Sequence, residues 1–152
     1  MSQLRLPFAT LSPAAYQGLL ATNSALVASP LGLPLVELVF LRVSQINGCS
    51  FCLGKHSKTL RESGVAQEKL DCLAGWRVSE LFSERERAAL AWTETLTYVH
   101  DKGAPDALYE PLKAHFSEVE ISDLTLAVSL MNAFNRLAVG MKLLARGESQ
   151  GV

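Results

Sequence analysis

The chain has 152 residues, 49% of them hydrophobic and 19% charged, with a formal net charge of −1. That is the length of one domain, residues 1–152, with a generous core and no need of a disulfide or metal staple to fold. The balance of 14 basic against 15 acidic residues excludes a nucleic-acid surface and a polybasic membrane anchor, and 3 cysteines are too few for a disulfide-rich secreted scaffold.

No charged residue falls between Arg5 and Glu37, so this stretch is tested first as a signal or a membrane span. Pro7, Pro13, Pro30 and Pro34 interrupt it, and Gln17, Thr22, Asn23 and Ser24 break its apolar run. The later run Leu124–Phe134 is shorter than the ~20 residues a spanning helix needs. The expectation is a cytoplasmic protein whose thiols are kept reduced, where a Cys pair is catalytic or metal-binding rather than structural.

Helical spacing recurs along the chain. Ser12-Pro13 places Pro at a first helical position, followed by Tyr16, Leu19, Leu20 and Leu26. Pro34 opens a second helix, Leu35 to about Asn47, apolar on nearly all sides except at Glu37, Arg42 and Gln45, and such a helix is normally buried. Asn47-Gly48 breaks it. A third helix runs from near Cys49 to Ser63, with Gly64 as a left-handed cap, and a shorter one from about Ala66 to Gly75 carries Leu70 and Leu73.

Ser83-Glu84-Arg85-Glu86 reads as a capping box. Behind it Ala88, Trp92, Leu96 and Val99 form an apolar stripe, with Arg85, Arg87 and Glu94 looking outward. Pro105 opens a helix through about Phe116, and Ser117–Glu120 repeats the capping box before a final helix, Glu118 to about Leu144. No hairpin dipeptide stands between alternating runs. The predicted class is all-α, a single-domain helical bundle, with part of the apolar surplus of the second and last helices buried against other subunits.

The chemistry concentrates in Cys49-Ser50-Phe51-Cys52-Leu53-Gly54-Lys55-His56. Two cysteines three apart at the first turn of a helix lie within bridging reach. Free amides and the positive dipole end stabilise a thiolate there. His56 follows Cys52 by one turn on the same face, where it can exchange a proton with that thiol. Lys55, Lys58 and Arg61 add positive potential, or form a solvated face. Glu37 is the one carboxylate of a strongly apolar segment and needs a partner that an imidazole can supply.

Three readings of these residues stay open on their own terms. One is a redox dithiol. Another is a zinc site of Cys49, Cys52 and His56 with Cys72 or Glu37 as fourth ligand. The third is a pair of buried cysteines beside a core histidine. Haem c attachment is excluded because Leu53, not His, follows Cys52. A thioredoxin motif lacks its βαβ context, and the zinc deaminase signature lacks both its Pro and its H-x-E. Cys72 reads as an ordinary small buried residue, His100 and His115 as residues at helix ends, and Trp76, Trp92 and Phe134 as core or interface anchors. Asn132, Asn135 and Arg136 are polar groups in an apolar helix whose partners the sequence does not name.

Glu37 followed by Cys49-x-x-Cys52-x-x-x-His56 resembles the signature of the AhpD-like alkyl hydroperoxidase family, within the carboxymuconolactone decarboxylase superfamily. Arg42–Cys49, Gly64, Trp76-Arg77, Glu86–Leu90 and Asn132–Leu137 fit the same likeness, which spans roughly Pro30 to Val139 with its core motif region at about 30–100. The resemblance implies a helical fold that assembles into trimers or hexamers, and a peroxidase with no metal or organic cofactor. Its substrate is a hydroperoxide, and a dithiol restores the enzyme. In that scheme Cys52 is the peroxidatic thiolate, Cys49 resolves it, and His56 and Glu37 form the proton relay. Phe51 stands where some members carry a second histidine, which implies a more apolar pocket. The alternatives are a disulfide-exchange adaptor that recycles a partner peroxidase, and a non-catalytic, zinc-stabilised interaction protein.

Overall fold

A computed structural model describes residues 4–144 of the chain. The remainder of the expected 1–152 unit lies outside the described residues. Helices follow in the order α1 (Phe8–Leu11), α2 (Pro13–Val27), α3 (Leu33–Asn47), α4 (Ser50–Glu62) and α5 (Gln67–Asp71), then a 3₁₀ segment, Leu73–Val78. After it come α6 (Glu84–Thr97), α7 (Val99–Lys102), α8 (Asp106–Tyr109), a second 3₁₀ segment (Glu110–Ala114) and α9 (Glu118–Gly140). No strand occurs among the described residues, so the fold is all-α. No described helix is long and apolar enough to cross a membrane.

Helix α3 is the hub. It packs against α4, α6 and α9, which accounts for its apolar surface on every side. Leu35, Val36, Val39, Phe40 and Val43 join residues of α6 and α9 in one apolar cluster. Leu38 and Leu41, on another side, meet Leu60, Leu70, Leu73, Trp76 and Leu90 in a second. Nine residues of α3, Leu35 to Leu41 with Val43 and Ser44, are thus buried inside their own chain. On α9 burial is one-sided: Leu124, Val128 and Met131 face the core while Val119, Leu126 and Val139 are exposed.

Both capping boxes form, the Ser83 and Ser117 hydroxyls accepting from the backbone amides of Glu86 and Glu120 and each Glu carboxylate accepting in return from the serine N–H. Three expected helices end differently. The one from Ala66 stops at Asp71 and gives way to a 3₁₀ segment that is itself kinked at Gly75. The one from Pro105 turns to 3₁₀ at Glu110, since Pro111 has no N–H to continue the ladder. The last stops at Gly140 rather than Leu144. Lys142 takes a left-handed φ of 59°, and the Leu143 N–H turns back to the Ala138 carbonyl.

The outward face expected for α6 is largely turned inward. Glu94 is nearly buried, held by Arg42 of α3 and by Arg77 and the Trp76 indole of the 3₁₀ segment. Arg87 donates to the carbonyls of Trp76, Arg77 and Ser79. Arg85 donates to Glu120 and to the His115 carbonyl, with its guanidinium 4.4 Å from the Phe116 ring centroid. Long charged side chains reach across apolar surface to distant partners, which local periodicity does not register. Val99 leaves the α6 stripe altogether and lies exposed on α7.

Candidate active site

The redox pair sits at a corner between α3 and α4. Gly48 closes α3 with φ 67° and ψ 35°, a left-handed conformation that glycine takes without a Cβ clash. Cys49 follows as the N-cap of α4, its N–H donating to the Ser44 carbonyl at 3.1 Å and its Sγ accepting the Cys52 N–H at 3.3 Å. Cys49 and Cys52 are joined as a disulfide across a Cα–Cα distance of 5.3 Å. The bond is almost sealed from solvent, Cys49 being 1% and Cys52 4% exposed, under Phe51, Ala138 and Leu143.

Helix α4 buries only Cys52, His56 and Leu60, a single stripe at four-residue spacing. The core contact that anchors the helix thus also aims its two reactive residues. His56 Nδ1 meets Glu37 Oε2 of α3 at 2.6 Å, both side chains nearly buried, and the Phe40 ring lies 5.2 Å from the imidazole. A neutral His56 facing a carboxylate donates through Nδ1–H, which leaves Nε2 as the proton acceptor. Nε2 has no hydrogen bond among the described residues.

Cys52 and His56 open together onto a cavity of about 70 Å³. Its wall is mostly apolar: Phe8 from α1, Tyr16 and Leu20 from α2, Phe51 from α4, Met131, Phe134, Leu137 and Ala138 from α9, and Leu143 beyond it. Asn23 and Lys55 contribute the other polar groups. Tyr16 is wedged edge-on between Phe8 and Phe134, at centroid distances of 5.6 and 6.4 Å. Cys49 does not line this cavity.

The four residues expected at the site, Glu37, Cys49, Cys52 and His56, are thus brought together. Lys55 reaches the cavity; Lys58 pairs with Glu62 on the surface, and Arg61 lines a different groove. Phe51 is part of the apolar wall, and Phe134, read as a core anchor, forms wall as well. Trp76 and Trp92 are buried and hydrogen-bonded to Glu94 and Thr125. Cys72 is a partly buried free thiol. His100 lies on α7 and His115 caps the second 3₁₀ segment.

Asn132 and Asn135 find partners within the chain. Asn47 Nδ2 donates at 3.0 Å to the side-chain carbonyls of both, and Asn135 donates to Ser44 Oγ at 3.1 Å. These bonds clamp α9 to the last turn of α3, directly before the redox corner. Arg136 stays at the surface. The N-terminal wall, Phe8 and Tyr16, carried no sequence signal, since an aromatic residue on a helix reads as core until the packing is known.

Among the described residues, no group of three or more His, Cys, Asp or Glu side chains is placed to hold a metal ion. The fourth-ligand roles weighed for Cys72 and Glu37 therefore have no geometry behind them in this disulfide form. What the arrangement offers is a buried dithiol–disulfide couple with a carboxylate-backed imidazole beside one sulfur.

Comparison with known proteins gives the family and the fold. The sequence matches the Carboxymuconolactone decarboxylase family over residues 13–95, more than half of the chain. The chain belongs to that family. An uncharacterized Bacillus subtilis protein, YdfG, is 36% identical over 105 residues, covering 69% of this chain and 71% of its own. A solved structure of a protein of unknown function from Agrobacterium tumefaciens, given the AhpD name, superposes with a TM-score of 0.91 at 36% identity, covering 96% of this chain and 100% of that one. The alkyl hydroperoxide reductase AhpD of Mycobacteroides abscessus is 50% identical over 34 residues, 22% of this chain and 19% of its own. The chain is AhpD-like within its family.

Proposed function

We propose that this protein is a thiol-dependent peroxidase that reduces hydrogen peroxide or small organic hydroperoxides. The observation that carries the reading is that Cys52 shares its small apolar cavity with an imidazole backed by a buried carboxylate. In the reduced protein, His56 Nε2 takes the Cys52 thiol proton and Glu37 steadies the imidazolium. The thiolate attacks the outer peroxide oxygen, the O–O bond breaks, and the departing alkoxide or hydroxide takes the proton back from His56. Cys52 is now a sulfenic acid. The Cys49 thiol attacks its sulfur, a water leaves, and the disulfide forms.

A dithiol donor returns two electrons and two protons and is itself oxidised to a disulfide. The N-cap position of Cys49 supports these steps, because the Cys52 N–H and the helix dipole stabilise Cys49 as a thiolate. The apolar wall suits an uncharged substrate that needs no electrostatic steering. Self-assembly into a trimer or hexamer and a cytoplasmic setting belong to the same reading.

Trapping tests it. Cys52→Ser abolishes peroxide consumption, while Cys49→Ser halts after one turnover with a sulfenic acid that a dimedone-type probe labels. Thiol counting on the unmodified protein shows two thiols lost per peroxide consumed, with Cys72 unchanged. A wild-type protein whose free thiols do not fall on adding peroxide would falsify the reading. The adaptor alternative predicts the converse, slow peroxide turnover alone and fast turnover once a partner peroxidase is added.

A further inference from the structure

We propose that residues 5–8 form a clasp, latched by Arg5 onto the C-terminal turn of α9, that sets the size of the molecule able to reach Cys52. Arg5 and Phe8 are on this view specificity-determining residues. The proposal rests on the thiol–disulfide reading of the site and adds a difference between its two half-reactions.

The Arg5 backbone N–H donates to the Met141 carbonyl at 2.9 Å, and its Nη1 donates to the Gly140 carbonyl at 3.0 Å. Those carbonyls end a helix, where no further turn supplies a donor, so Arg5 helps to cap α9 and ties the segment before α1 to the turn after α9. Each tied segment contributes a wall of the cavity: Phe8 follows the latch, and Leu143 follows the capped turn. Leu143 also packs against the disulfide itself. Little else holds the N-terminal side. Helix α1 has four residues and none is buried, and its main anchor is the edge-on contact of Phe8 with Tyr16.

With the clasp shut, the cavity has room for a peroxide of a few heavy atoms. Reduction asks for more space. A donor thiolate must approach Cys52 Sγ in line with the disulfide, form a mixed disulfide and release Cys49 as a thiolate, which takes up the donor's proton. The donor's second thiol then displaces Cys52, leaving as a disulfide after delivering two electrons. Cysteines 1% and 4% exposed do not offer that approach to a donor carried on a large molecule. Release of the Arg5 latch lifts Phe8, while Leu143 stays held by its N–H on the Ala138 carbonyl, and opens the N-terminal side of the cavity toward Cys52.

The test uses full-length protein oxidised with copper–phenanthroline, so that it does not depend on peroxide. Two reductants of the same chemistry are compared, dithiothreitol and a dithiothreitol-type dithiol tethered to poly(ethylene glycol). Reduction is read by quenching with N-ethylmaleimide and counting alkylated cysteines by mass spectrometry. Arg5→Ala raises the tethered-dithiol rate about fivefold, the change in open population expected on losing one exposed hydrogen bond, and the free-dithiol rate by less. Phe8→Ala shifts the ratio in the same direction. Oxidation of reduced Arg5→Ala, whose altered residue does not line the cavity, by hydrogen peroxide keeps its wild-type rate. No acceleration, or equal acceleration of both reductants, overturns the clasp. Size-selective reduction in a protein that consumes no peroxide overturns the peroxidase reading and leaves the clasp standing.

Discussion

At the scale of single residues, the tautomer of His56 is the detail on which the proposed chemistry turns. Glu37 sits on Nδ1 at 2.6 Å, so the free lone pair of a neutral ring lies on Nε2. Burial makes the arrangement costly to disturb, because a carboxylate or imidazole left alone in the core loses its only compensation. In a reduced Cys49→Ser background, His56→Ala lowers the iodoacetamide alkylation rate of Cys52 at neutral pH by about tenfold or more. Glu37→Gln produces a loss of the same kind, since an amide accepts from Nδ1–H but cannot steady an imidazolium. An alkylation rate unchanged in both variants removes the relay. Asn135, 1% exposed, is the other single residue with long reach: its amide joins Ser44 and Asn47 on either side of the last turn of α3.

Between elements, Glu94 acts as a rivet. From α6 it binds Arg42 of α3 together with Trp76 and Arg77 of the 3₁₀ segment. Burial pushes its carboxyl upward, but the hydrogen bonds from Trp76 and Arg77 and the charge and hydrogen bond of Arg42 outweigh that and hold it below the usual carboxylate range. A carboxyl with a lowered pKa in the folded state adds stability that is complete above its unfolded pKa. That stability is lost as pH falls through the folded value. The urea midpoint of the wild type therefore drops as the solution is taken down through and below the ordinary carboxylate range, and Glu94→Gln has a shallower acid limb. Parallel acid limbs for the two proteins contradict this assignment. The two capping boxes, by contrast, are local and set only where α6 and α9 begin.

For the molecule as a whole, α3 lies at the centre and the redox corner at one of its ends. Glu37 comes from α3, the cysteines and His56 from the corner and α4, and the cavity walls from α1, α2 and α9. The site thus exists only once α1, α2 and α9 have docked against the redox corner. The outer face of α9 leaves Val119 and Leu126 exposed, with Tyr98 and Val99 exposed on the α6–α7 side. Under the proposed self-assembly, such apolar groups are covered by a neighbouring subunit. Light scattering then returns the mass of a trimer or hexamer, and Leu126→Glu shifts the population toward smaller species. A wild-type monomer at all concentrations ends that part of the reading.

The sequence by itself determined the helical class, the two capping boxes, the break at Gly48, and the four residues gathered at the site. It could do so because these features rest on local spacing: a period of 3.6, a cap three residues from its partner, two cysteines and a histidine on one helix face. Glu37 was legible for a related reason, as a lone carboxylate in a helix with no polar face. Tertiary structure alone decided the rest. That Glu94 turns inward, that Asn135 clamps α3, and that Phe8 and Leu143 wall the cavity depend on contacts between segments far apart in the chain. A side chain's periodicity says which face of its helix it occupies; only packing says whether that face meets solvent, core or the reacting sulfur.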